Sequence, residues 1–193
     1  GSRVVGRTHP TILADMSPFA SEPEPFPTEV FEDVLEANAE FAATYQAPEG
    51  LTGRAARRLA VVTCMDSRVD PLAILGLKMG DVKILRNAGA RVTDDVLRTL
   101  SLASYLLEVD RVLVMPHTDC RMAKGTESDV HAAIYDAYGV DTRSMGFDVS
   151  PDQVKTLRQD VIRVRAFPLL PTYVVVAGAI YSVQTGKLEL QDI

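Results

Sequence analysis

The sequence predicts an α/β fold, a mostly parallel sheet of four strands plus an antiparallel edge strand, with helices on both faces and an N-terminal arm and helices ahead of it. Three observations predict this. Short continuous apolar runs such as Leu59-Ala60-Val61-Val62-Thr63 are typical of strands buried on both faces. These runs alternate with segments of helical period, and repeated strand–helix alternation builds a parallel sheet through right-handed crossovers. Pro10, Pro18, Pro23, Pro25 and Pro27 interrupt the segment before them, so it cannot be a regular helix.

The elements follow in order. Residues 1–28 read as an extended arm that lies across a surface or wraps a partner. Gly1-Ser2 reads as a remnant of tag removal and is left out of the fold reading. Thr28 has the chemistry to cap a helix over 29–45, where Val30, Val34 and Phe41 share an apolar face beside acidic residues. Pro48-Glu49-Gly50 breaks it, and a short helix is expected over 51–58, with Arg54, Arg57 and Arg58 on its solvated face.

The first strand, 59–63, then leads to a short helix from Pro71 through Leu77, closed by Gly80. Val82 to Arg86 is the second strand. Thr93 caps a long helix over 94–108, with Val96, Leu97, Leu100, Ala103 and Leu107 spaced as one buried stripe. Arg111 to Met115 is the third strand, stopped by Pro116. Helices are expected over 126–138 and 151–164. Thr172 to Ala179 is the fourth strand, running on through Ile180 to a Thr185-Gly186 turn, and Lys187 to Gln191 returns as the edge strand. One domain over 1–193 is expected, with the arm at 1–28, N-terminal helices at 29–58 and the α/β core at 59–193.

Composition narrows the function. The 193 residues are 47% hydrophobic and 24% charged, ordinary for a soluble globular chain. A net charge of -6 argues against nucleic acid as a partner, because phosphate binding needs a concentrated basic surface. No run of apolar residues is long enough to span a membrane. The first residues lack the layout of a secretion signal, and the chain has only 2 cysteines, so a reducing cytoplasm is the expected location.

Two strand ends carry unusual residues. The first strand runs into Thr63-Cys64-Met65-Asp66-Ser67-Arg68, the third into Pro116-His117-Thr118-Asp119-Cys120-Arg121. Functional loops of parallel sheets lie beyond the C-terminal strand ends. If strands one and three are neighbours, both cysteines and a histidine converge. Two thiolates and one imidazole suit zinc and leave a fourth position open; the competing reading is two cysteines buried as small hydrophobes. Asp66 and Arg68 read either as a salt bridge closing the loop or as a pair holding one carboxylate oxygen towards a water. The Arg86-Asn87-Ala88-Gly89-Ala90 loop reads as a tight turn bonded by Asn87, or as backbone that closely approaches the pocket. No phosphate-cradling glycine loop and no serine nucleophile elbow is present.

Cys64-x-Asp66-x-Arg68 and His117-x-x-Cys120, with Arg86-Asn87-Ala88-Gly89 between them, resemble the signature of the β-class carbonic anhydrases. The likeness runs from about Ala60 to Met122, more weakly to the C-terminus. It implies one Zn2+ per chain on Cys64, His117 and Cys120, and reversible hydration of CO2 by a zinc-bound hydroxide that Asp66 and Arg68 orient. It also implies a closed form in which Asp66 leaves Arg68 and becomes the fourth ligand. The implied sheet order is 2-1-3-4 with a further edge strand. The implied assembly is a homodimer or dimer of dimers in which N-terminal helices embrace the partner, with Phe26, Phe31 and Tyr45 near the substrate channel or packing at the interface.

The chain is similar to the short actinobacterial branch, which is similar in turn to hydrolases of carbonyl sulfide or carbon disulfide. That activity is the alternative expectation, and a non-catalytic zinc protein the third. Arg121 stands where the family usually has Gly, adding bulk and charge. The aromatic and basic constellation for inhibitory bicarbonate is not recognisable. His131 and Asp129 are candidate proton shuttles, and His9 is expected to have no role.

Overall fold

The computed structural model describes residues 25–193. The expected arm therefore lies outside the described residues as far as residue 24, and so does His9. The chain groups into two units that divide after Pro48.

In the first unit a 3-10 turn, Thr28–Phe31, leads into helix α1, Glu32–Thr44. Thr28 does not cap it. Pro27 holds the position before the turn, and the Thr28 hydroxyl instead donates to Phe26 O at 3.3 Å. Acidic Glu32 and Asp33 occupy the first turn of α1, where they complement the helix dipole.

The second unit holds one five-stranded sheet: β1 Leu59–Cys64, β2 Val82–Asn87, β3 Arg111–Met115, β4 Val175–Tyr181 and β5 Leu188–Gln191. The order is β2-β1-β3-β4-β5, with β5 antiparallel to β4 and every other pair parallel. This is the order implied by the resemblance, including the antiparallel edge. Alternation sorts the strand residues onto two faces. Ala60, Val62, Val112 and Val114 pack with Val96, Leu97 and Leu100 of α3 (Asp94–Leu106) and Leu157, Val161 and Val164 of α5 (Gln153–Arg165). Val61 and Met115 on the other face meet Ile74 and Leu75 of α2 (Pro71–Leu75). Each fully buried branched side chain contributes about 1.5–3 kcal/mol over leaving it exposed, so both faces are driven to be covered.

Caps set the helix ends. Thr93 accepts from Val96 N at the start of α3, as expected, and Thr126 with Asp129 forms a reciprocal capping box on α4, Glu127–Tyr138. Helix α3 stops at Leu106, two residues early, because Glu108 turns into the left-handed region at φ 61. Helix α2 ends at Leu75, and Gly76, not Gly80, closes it: Gly76 has φ 63 and its N–H caps Leu72 and Ala73 carbonyls. Strand β4 begins at Val175, three residues late, because the Val174 N–H closes a turn onto Pro171 O at 3.1 Å.

The helix expected over 51–58 does not form. Its backbone is claimed by distant partners: Ala56 and Arg57 N–H groups donate to Gly80 and Asp81 carbonyls, and Arg58 O accepts from Asp110 and Arg111. Arg54 pairs with Glu108, Arg58 with Asp110 and, more loosely at 4.0 Å, Arg57 with Asp81, so all three arginines reach neighbouring loops. No helix of the described residues is long and apolar enough to cross a membrane.

Candidate metal centre

Strand order reverses between β1 and β3, and the loops beyond their C-terminal ends form the site. Cys64 is the last residue of β1 and lies opposite Asn87 of β2. His117 follows β3 and bridges to Tyr181 at the end of β4. The loop after β3 is tied down on both sides. Thr118 N–H donates to Tyr181 O at 2.8 Å, its hydroxyl accepts from Val183 N–H at 3.1 Å, and Gln153 Nε2 donates to His117 O at 2.8 Å.

Cys64, His117 and Cys120 are all buried, and their ligating atoms lie within 4.8 Å of one another. The sulfurs are 3.9 Å apart. Two sulfurs on a tetrahedral zinc with bonds of ~2.3 Å stand about 3.8 Å apart, so the spacing fits. His117 Nδ1 lies 2.8 Å from Thr118 O, which places the ring proton there and leaves Nε2 as a lone pair. Nε2 is buried and makes no hydrogen bond. A buried acceptor facing two sulfurs without a donor is costly unless a cation takes its lone pair.

The thiols give the same answer. The Cys120 thiol bonded to Cys64, together with its His117 and Gly89 contacts, pulls the Cys64 pKa down against burial. The Cys64 thiolate and burial then push Cys120 up. Without a cation the pair thus carries a single negative charge, and a divalent metal is what would let both thiols ionise side by side in this buried place. The donor set therefore fits zinc.

The loop after β2 approaches this centre closely. Asn87 clasps it, accepting from Arg91 N–H at 2.8 Å and donating to Arg91 O at 2.7 Å. Gly89 donates its N–H to Cys64 Sγ at 3.4 Å. Its φ of 82 and a Met122 Cβ only 3.1 Å from where a Cβ would stand restrict the position to glycine. Both readings of this loop, bonded turn and close backbone approach, hold together.

Asp66 and Arg68 meet beside the ligands. Asp66 Oδ1 accepts from Arg68 Nε and from its main-chain N–H, both at 2.9 Å, and Oδ2 accepts from Nη2 at 2.8 Å. The Arg68 side chain and then its N–H hold the Asp66 carboxyl well below the usual carboxylate range. Oδ2 lies 3.6 Å from His117 Nε2.

Other expectations fare differently. Exposed Arg121 donates to Lys124 O at 3.0 Å. Asp129 is committed to the N–H and hydroxyl of Thr126. His131 bonds Thr142 Oγ1 at 2.9 Å and lines a cavity with Tyr135 and Arg143 that none of the three candidate ligands borders. Phe26, Phe31 and Tyr45 belong to the first unit, where Phe26 stacks on Phe31 and Phe41 on Tyr45.

Sequence reasoning passed over three neighbours of the site. Arg86 straddles the first loop, donating from Nε to Cys64 O at 2.9 Å and from Nη2 to Asp66 O at 2.7 Å. Its place at the end of the strand beside β1 is the signal that could have found it. Asp119, between two candidate ligands, accepts from Arg68 and pairs with Lys124. Gln153 carried no local signal.

Comparison with known proteins agrees with this geometry. The carbonic anhydrase family model matches residues 59–138, a span holding both metal-ligand motifs. The chain is 35% identical over 159 residues to β-carbonic anhydrase 1 of Mycobacterium tuberculosis, covering 82% of this chain and 96% of that protein. It is 30% identical over 158 residues to a carbon disulfide hydrolase of Saccharolobus solfataricus, covering 68% of this chain and 76% of the relative. The crystal structure of a carbonic anhydrase from Streptococcus mutans superposes with a TM-score of 0.77 at 34% identity, covering 88% of this chain and all of that one. With the sheet order, the converging Cys-His-Cys cluster and a relative matched along nearly its whole length, the chain belongs to the β-carbonic anhydrase family.

Proposed function

We propose that this protein is a zinc-dependent carbonic anhydrase that interconverts carbon dioxide and bicarbonate. Cys64, His117 and Cys120 hold one Zn2+ per chain, and Asp66 and Arg68 perform the orienting chemistry. The observation that carries this reading is the Asp66 carboxylate, fixed by three donors from Arg68 with Oδ2 turned to within 3.6 Å of the free imidazole nitrogen. Zinc in such a ligand set supplies the Lewis acidity that lets water ionise near neutral pH.

The chain's own residues do the rest. Asp66 is ionised and therefore only accepts hydrogen bonds. A water beside Oδ2 turns its hydrogen towards the carboxylate, which aims an oxygen lone pair outward at the carbon of CO2. Arg68 keeps both Asp66 oxygens occupied, which supports a state in which Asp66 is not itself a ligand. The Gly89 N–H and the buried His117–Thr118 contact keep the donors oriented. Two metal-binding thiols suit a reducing compartment, and a cytoplasmic location is part of this proposal.

The second reading is hydrolysis of carbon disulfide or carbonyl sulfide, favoured by the carbon disulfide hydrolase relative at 30% identity. Both are linear electrophiles attacked at carbon, so the same residues serve. Turnover of CO2, COS and CS2 by one zinc-loaded preparation separates them. CO2 hydration is expected to dominate; rapid sulfide release with negligible CO2 hydration overturns the choice.

The proposed assembly is a homodimer, alone or paired into a dimer of dimers. Helix α1 buries no residue in the single chain, and Val30, Val34 and Phe41 are exposed at 74%, 58% and 55%. The same segment carries Glu29, Glu32, Asp33, Glu36 and Glu40 with no basic residue. An isolated helix of this length is marginal in water, so its apolar face needs a partner, and a second copy provides one. Sedimentation equilibrium is expected to give at least twice the 21.0 kDa chain mass, reduced in Val34→Asp; a wild-type monomer refutes this assembly.

A further inference from the structure

The Arg68 guanidinium is held on two sides, and the proposed function uses only one. Its Nε and Nη2 face Asp66. Its other end belongs to Asp119, on the loop after β3: Nη1 donates to Asp119 Oδ2 at 2.9 Å, and Nη2 donates to Asp119 O at 3.1 Å. Asp119 Oδ1 in turn lies 2.6 Å from Lys124 Nζ. Four alternating charges, Asp66, Arg68, Asp119 and Lys124, thus run from the centre outward. Asp119 adopts φ 55, a left-handed conformation uncommon outside glycine, asparagine and aspartate. This one residue presents both a carboxylate and a main-chain carbonyl to the same guanidinium.

We propose that Asp119, neutralised by Lys124, is a positioning residue that grips the outer edge of Arg68 and so fixes the plane in which Asp66 is held. The inference rests on the reading of Asp66 as the group that orients water. An Asp–Arg pair that is half exposed and gripped from one side only swings as a unit, and exposed pairs of that kind impose little geometry. Asp119 anchors the pair to a second loop, 51 residues away in sequence, that also carries His117 and Cys120. The carboxylate is thereby referenced to two of the candidate ligands as well as to Cys64. Lys124 cancels the second negative charge, so Asp119 holds Arg68 without drawing it off Asp66.

Asp119→Gly and Asp119→Asn test this. Glycine keeps the left-handed backbone without strain and removes the carboxylate; asparagine keeps an oxygen able to accept from Nη1. For Asp119→Gly, kcat for CO2 hydration is expected to fall about tenfold with KM within about twofold, as misorientation without lost binding predicts. Asp119→Asn should recover to within about threefold of wild type, since it retains the orienting hydrogen bond. Zinc content should stay at one per chain in both. A second readout is independent of turnover. In nitrogen-15 NMR spectra of the full chain, Arg68, identified as the signal lost in Arg68→Lys, should show separate Nη resonances slowed by grip at both ends. In Asp119→Gly these should merge as rotation quickens.

Unchanged kcat in Asp119→Gly overturns the proposal, as do unchanged Arg68 signals, or an Asp119→Asn enzyme as impaired as Asp119→Gly. If wild type turns over neither CO2, COS nor CS2, the functional reading fails instead. The Arg68 signals then decide whether the grip exists.

Discussion

Asp66→Asn is expected to lower CO2 turnover about a hundredfold or more while one zinc per chain stays bound, the scale reached when a reacting group loses its orientation. The reason lies in donor and acceptor arithmetic. Asp66 accepts three hydrogen bonds from Arg68, two at Oδ1 and one at Oδ2. An asparagine has one acceptor oxygen. With that oxygen at the Oδ1 position, its NH2 group confronts Arg68 Nη2 and presents donors where Oδ2 faces His117 Nε2. With the amide reversed, Arg68 Nε and the Arg68 N–H both lose their acceptor. The first orientation leaves a water beside the Oδ2 position without an acceptor for its hydrogen, and the second keeps that acceptor only by setting two Arg68 donors against an NH2 group, which breaks the grip that aims it. Turnover per zinc-loaded site and metal content, measured on the same preparation, check this, and full activity in Asp66→Asn rules out the role given to Asp66.

The second large effect is expected at the ligands. Cys120→Ser should weaken zinc binding by more than about a hundredfold, since loss of a mere supporting contact already costs 10- to 100-fold. Hydroxyl oxygen is a poor substitute for thiolate towards a borderline-soft metal. Stability follows by linkage: free zinc at a hundred times its Kd stabilises the folded chain by about 2.7 kcal/mol, and a chelator removes that contribution. Wild type is therefore expected to lose thermal stability in chelator. Cys120→Ser should start near that lower melting temperature and respond little to chelation. A wild-type melting curve indifferent to chelator, or a Cys120→Ser protein that copurifies with a full equivalent of zinc, contradicts the assignment. His117→Ala should behave alike, because among the described residues Nε2 is the one buried ring atom left without a hydrogen-bond partner.

Much of this was legible in the chain itself. Strands β1 and β3 announce themselves because both faces of a parallel sheet are covered, so their residues form nearly continuous apolar runs, whereas β2, at the sheet edge, carries Lys83 and Arg86 among its apolar residues. Helix α3 is legible because a single buried stripe and a Thr93 cap are local patterns. Asp66, Arg68 and the three candidate ligands stand out because charged and metal-binding side chains directly beyond buried strands have few other uses there. The failures share a cause. Residues 51–58 have helical spacing, yet Gly80, Asp81, Asp110 and Arg111 supply backbone partners from other parts of the chain. Local propensity amounts to tenths of a kcal/mol per residue and yields to such partners.

The sequence by itself determined which side chains are available for chemistry, which strands are buried and where most helices begin, because periodicity, capping and composition act over a few residues. Only the tertiary structure decided that Cys64 stands 3.9 Å from Cys120, that Thr118 sets the His117 ring proton, and that Arg68 is shared between Asp66 and Asp119. These contacts join loops more than fifty residues apart or depend on which way a ring and a carboxylate face. Both are fixed when strand order β2-β1-β3 brings the loop ends together, and no run of neighbouring residues records that meeting.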